Sequence, residues 1–93
     1  MIKTFADKRT AALFLGKAGK GVPADVIKRA RIKLLLVDAA VDVNDLRHPP
    51  GNYVETLKDD RLGQHSIRVN DQWRICFVWR DGDAYEVEFC DYH

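Results

Sequence analysis

Asp91, Tyr92 and His93 follow one another at the close of an alternating apolar pattern, which sets a carboxylate, a phenol and an imidazole in a row. These groups move protons or hold a phosphate: an unperturbed histidine titrates near ~6.5, and a neighbouring carboxylate orients it. A frayed, solvated tail would carry the same residues without chemistry, so the decision rests on what lies upstream. Arg68 and Arg74 flank the turn Asn70-Asp71-Gln72, and pairing Val69 with Trp73 across it sets Arg68 directly opposite Arg74. Like charges so placed need an anion between them, which Glu55, Glu88 or the phosphate of a ligand could supply. Matching Trp79 with Tyr85 around Gly82 sets Arg74 opposite Cys90 and so beside the closing triplet.

The elements that must hold these groups are legible upstream. Trp73, Ile75, Phe77 and Trp79 alternate with Arg74, Cys76 and Val78, and Tyr85, Val87 and Phe89 alternate with Ala84, Glu86, Glu88 and Cys90. Parity makes Trp73 and Trp79 core residues rather than stacking platforms. Met1 to Phe5 reads as a short strand. Asp7 suits the N-cap of a helix through Phe14, broken by Gly16 and Gly21, and Pro23 suits the first turn of a second helix. In that second helix Val26, Ile27, Ala30, Leu34 and Val37 form an apolar stripe, with Lys28, Arg29, Arg31 and Lys33 around it. The Pro- and Gly-bearing stretch from Asp42 to Gly51 reads as a loop between a helical half and a strand half of one domain, residues 1–93.

Composition narrows the class. At 93 residues, 46% hydrophobic and 31% charged, the chain is expected to be one soluble globular domain of sheet plus one or two helices. No apolar run approaches a membrane span and the first residues lack a signal-peptide pattern, so the expected location is cytoplasmic, with no membrane partner. Cys76 and Cys90 are read as reduced, semi-buried residues, because two cysteines in strand patterns make no disulfide framework. The histidines and cysteines show no close pair at ligand spacing, and no metal or other cofactor is expected. Charge is uneven: residues 1–37 carry nine basic residues against two acids, whereas Asp81 onward carries five acids and neither lysine nor arginine. A polyanion on the basic side and a solvated helix face explain this equally well.

The run Gln64-His65-Ser66-Ile67-Arg68-Val69-Asn70-Asp71-Gln72-Trp73-Arg74-Ile75-Cys76-Phe77, with the closing Asp91-Tyr92-His93, resembles the HigB branch of the RelE-like toxins. Gly21-Val22-Pro23, Pro49-Pro50-Gly51-Asn52 and Leu57-Lys58-Asp59-Asp60-Arg61 fit the same branch, so the resemblance spans nearly the whole chain. It implies an α+β fold, a small antiparallel-rich sheet of four to five strands packed against two N-terminal helices. It also implies the toxin of a type II toxin-antitoxin system, cutting messenger RNA on the ribosome. The implied partner is a helix-turn-helix antitoxin of the HigA type, through which alone the toxin meets DNA.

Metal-free cleavage needs a base on the 2′-hydroxyl, cations on the phosphorane and an acid at the leaving 5′-oxygen. Carried over by position, the resemblance makes Arg74 the phosphate clamp and Arg68 and Lys58 supporting cations, with His65 a further residue that flanks a strand or touches RNA. Asp91 and His93 share the proton transfers, and Tyr92 stacks on or orients a nucleotide. Some relatives place a histidine where this chain has Glu55, which is then either a general base or a neutralising partner of Arg68. Lys28, Arg29 and Lys33 are expected to lie on ribosomal RNA, while His48 reads as a surface residue. The alternative is a ParE-like toxin of the same fold that makes no cut and blocks a target protein such as DNA gyrase. A freestanding RNA-binding module is the weakest reading, since the basic helices offer only Phe5 and Phe14 as aromatics.

Overall fold

Helix α1, Lys8–Phe14, starts where Asp7 takes an extended conformation and its carboxylate accepts from the Thr10 amide at 2.7 Å. The computed structural model describes residues 1–17, 21–57 and 63–91. Helix α2, Ala24–Ala39, follows Pro23, whose carbonyl accepts from the Val26 and Ile27 amides at 3.0 Å. The expected apolar stripe is the buried one: Val26, Ala30, Leu34 and Val37 all face inward. Burying each Leu or Val contributes about 1.5–3 kcal/mol, so this stripe fixes the rotation of α2 and with it the direction of its cations.

Among the described residues the sheet has four antiparallel strands in sequential order: β1 Glu55–Thr56, β2 Gln64–Arg68, β3 Trp73–Arg80 and β4 Asp83–Asp91. The helices cover the face that carries Ile67, Val69, Ile75, Phe77, Val87 and Phe89. Trp73 stacks on Phe89 at 4.3 Å and Trp79 meets the edge of Phe77 at 6.3 Å, both packed against this core as parity required. The β2–β3 turn is built by Asn70, whose side-chain oxygen accepts from the Gln72 and Trp73 amides at 2.9 and 2.8 Å. Arg68 pairs with Arg74 as read from the sequence.

The β3–β4 hairpin departs from expectation and then returns to it. Its turn is Asp81-Gly82, both at positive φ (52° and 81°), which closes a two-residue loop and pairs Trp79 with Ala84 instead of Tyr85. Tyr85 therefore joins Val78 on the face away from the helices, where Arg80 lies over its ring at 4.4 Å. A bulge at Glu86, φ 52°, then inserts one residue into β4. Beyond it the register matches the sequence reading: Cys76 opposes Glu88 and Arg74 opposes Cys90.

Other expectations need correction. Met1 to Phe5 is not a strand but two isolated parallel bridges, Ile2 to Ala84 and Phe5 to Val87. The bulge lies between them and interrupts the ladder, and the Thr4 hydroxyl fills the gap by accepting from the Glu86 amide at 2.8 Å. The stretch from Asp42 to Gly51 is not an irregular loop; it holds a 3-10 turn, Val43–Arg47, closed by a capping box between Asp42 and Asp45. A second such turn spans Pro50–Asn52. Asn52 is fully buried between them, its amide donating to the carbonyls of Leu46 at 3.0 Å and His48 at 3.4 Å. Both cysteines are free thiols, and they are buried rather than half-buried, forming a small second cluster with Leu57.

Thr10 ties α1 to the sheet. Its buried hydroxyl accepts from the Phe89 amide at 2.9 Å, and removing it strands that donor away from water. Thr10→Val is expected to cost about 1–3 kcal/mol in urea unfolding, while Thr10→Ser stays near the parent; equal midpoints for all three would show the bond to be immaterial.

Candidate phosphate-binding groove

Alternation along β2 and β3 places Ser66, Arg68, Arg74 and Cys76 on the sheet face away from the helices. Arg74 is 7% exposed and is held in one orientation. Its Nε donates to Ser66 Oγ at 2.7 Å, and its Nη2 donates to the carbonyl oxygens of Ser66, at 3.3 Å, and of Tyr53. These acceptors fix the plane of the guanidinium without adding net charge of their own.

Arg68, across from it, pairs with Asp71 in the adjoining turn and lies over the Tyr53 ring at 5.4 Å. The anion that relieves the two arginines' repulsion thus includes a turn residue the sequence reading passed over. Asp71 is 93% exposed, so the pair is worth about 0–1 kcal/mol and can be exchanged for another anion.

A depression of about 320 Å³ is lined by Tyr53, Glu55, Arg68, Asn70, Asp71 and Arg74. A second, of about 370 Å³, shares Tyr53, Arg68, Asn70 and Asp71 with it and continues to Arg29 and Lys33 of α2. One groove therefore runs from the buried guanidinium to the helix. Arg29 and Lys33 are four residues apart and share a face of α2, whereas Lys28, grouped with them on sequence, does not line the groove. Burial pushes the Lys33 ammonium below its ordinary pKa, with the Arg29 guanidinium adding to the shift. Its Nζ is also held by Asn52 Oδ1.

The other candidate residues sit elsewhere. Asp91 opposes Trp73, not Arg74, so alternation turns it from the face that bears the arginines, and its carboxylate accepts from Gln72 Nε2 at 3.1 Å. His65 opposes Phe77 and lies on the helix-covered side, its ring 6.1 Å from that of Phe77 and its Nδ1 3.4 Å from Thr56 Oγ1. It flanks a strand, the plainer of the two readings. Lys58, Tyr92 and His93 lie outside the described residues. Tyr53, Asn70 and Asp71 were missed as site residues. A Pro-Pro-Gly run just before Tyr53 and a three-residue turn between the arginines were the available signals.

The family described as the RelE-like toxin of the type II toxin-antitoxin system HigB matches residues 3–93. The chain belongs to the HigB family of toxins. Endoribonuclease HigB of Proteus vulgaris is 38% identical over 93 residues, covering 100% of both chains. Toxin HigB-1 of Vibrio cholerae is 44% identical over 63 residues, 68% of this chain and 66% of its own. The fold also aligns with a chain of the YoeB-YefM complex from Staphylococcus aureus, at a TM-score of 0.63 and 17% identity over 100% of this chain and 98% of that one. No described helix of this HigB chain is long and apolar enough to cross a membrane.

His65 supplies a pH test of this geometry. Burial lowers its pKa from 6.5, and the charge of Arg47 lowers it further. The unfolded chain then binds the proton more readily than the folded one, so stability falls as pH drops below about 6.5 and levels off beneath the folded pKa. Arg47→Ala is expected to raise the His65 pKa toward 6.5 and narrow that window, read by NMR titration of the imidazole; an unmoved titration would show that Arg47 exerts no field there.

Proposed function

We propose that this HigB chain, acting as one domain over residues 1–93, is a ribosome-dependent endoribonuclease that cuts translated messenger RNA without a metal. The groove that joins Arg74 and Arg68 to Arg29 and Lys33 carries this reading, since four cations line a path suited to a polynucleotide backbone. Its reaction class agrees with that in the name of the Proteus vulgaris relative, an endoribonuclease. As a type II toxin in the bacterial cytoplasm, it is held in check by a HigA-type helix-turn-helix antitoxin and meets DNA only through it.

In this mechanism a phosphodiester enters beside Arg74, displaces Asp71 from Arg68 and lies between the two guanidinium groups. Glu55 lines the same depression, and with Arg68 already paired to Asp71 its carboxylate takes the base role rather than the neutralising one. It removes the 2′-hydroxyl proton, the 2′-oxygen attacks phosphorus, and the two arginines stabilise the phosphorane. The 5′-oxygen leaves with a proton from His93, and Tyr92 orients the nucleotide, while Asp91, turned from the arginine face and bonded to Gln72, takes no part in the transfer. Lys58 adds a further cation, as the resemblance assigned it. The ribosome supplies in-line geometry that so small a surface cannot impose on a flexible strand.

The test is to incubate the purified protein with programmed ribosomes and map breaks in the message. Glu55→Gln and Arg68→Gln are each expected to slow single-turnover cleavage by about 10²–10³, and Arg74→Lys, which keeps charge but loses the fork, to do so as well. Neutralising Arg29 and Lys33 together should flatten the salt dependence of ribosome binding by about two in log-log slope, with Lys28→Ala as the inert control. Uncut message together with inhibited gyrase would replace this reading with the ParE-like one.

A further inference from the structure

Tyr53 stands where the two depressions meet and lines both. It is 58% exposed, so its ring is not there to fill the core. Its backbone is left-handed, φ 44° and ψ 62°, a conformation that an aromatic residue adopts at a cost glycine or asparagine would avoid. The surroundings hold it there from several sides. Its amide donates to the Pro50 carbonyl at 3.1 Å, its own carbonyl accepts from buried Arg74, and the preceding residue is the fully buried Asn52. Arg68 lies over one face of the ring, 5.4 Å from its centroid, so a base would stack on the opposite face.

We propose that the Tyr53 ring is a stacking platform for a base of the bound message, seating the nucleotide beside the phosphate gripped by Arg68 and Arg74. The inference rests on the nuclease reading above. A rigid, exposed aromatic face among cations is what a single-stranded polynucleotide uses, because every base has a π-face and the backbone follows the charges. Arg68 serves both parts, since it contacts the ring and reaches the phosphate path, so the distance between base and phosphate is preset. Stacking of this kind acts on bound substrate and transition state alike. It therefore tightens binding without speeding the chemical step.

Two variants separate the ring from the backbone. Tyr53→Phe keeps the aromatic face, and Tyr53→Asn removes it while tolerating the left-handed conformation and keeping the carbonyl that Arg74 needs. With programmed ribosomes, Tyr53→Phe is expected to stay within about twofold of the parent throughout. Tyr53→Asn should raise the half-saturating concentration about tenfold while leaving the rate at saturation within about threefold. If the Asn variant melts below the assay temperature, Tyr53→Gly takes its place, because glycine enters that conformation without strain. An unchanged half-saturation in the ring-less variant, or a Phe variant as poor as it, overturns the platform alone. No cleavage by the unsubstituted protein overturns the nuclease reading itself.

Discussion

The buried guanidinium of Arg74 is the interaction on which the rest of the groove depends. A charge this buried is tolerated when its donors find acceptors, and here Nε meets the Ser66 hydroxyl while Nη2 meets the Ser66 and Tyr53 carbonyls. Those bonds tie the middle strand to its neighbour and to the end of the Pro50–Asn52 turn. The arginine thus shapes the groove wall as well as carrying charge into it.

From that latch the other parts take their places. Tyr53 is fixed by its carbonyl, Arg68 by the ring beneath it and by Asp71, and Glu55 by its pairing with Ser66 on the same face. The helical cations arrive independently, through the buried stripe of α2, which aims Arg29 and Lys33 at the same groove. Sheet and helix contribute to one charged path because the core sets their relative rotation.

Much of this was written in strand parity. The Arg68 and Arg74 pairing followed from one short turn and an alternating pattern, both local features that tertiary context did not override. The hairpin shows how a correct endpoint can come from compensating departures: the Asp81-Gly82 turn shifted the register by one and the Glu86 bulge shifted it back. Parity reading could not detect either shift, so it misplaced Tyr85 yet put Cys90 where it belongs. Asp91 was misjudged for a simpler reason, since adjacency in sequence to Cys90 means opposite faces in a strand. Tyr53 escaped notice because its role comes from a left-handed backbone and a distant arginine. Neither leaves a periodic trace.

Asp71 gives the groove a tethered counter-ion of its own. A phosphate reaching Arg68 exchanges one anion for another and returns the Asp71 carboxylate to solvent beside it, so less net charge is gained here than at an unpaired cation. Arg68 therefore contributes selectivity for densely charged ligands more than it contributes sensitivity to ionic strength. Weak anions passing through the cell meet a guanidinium already paired, and because that pair contributes only about 0–1 kcal/mol, a ligand anchored at several points readily holds the carboxylate aside.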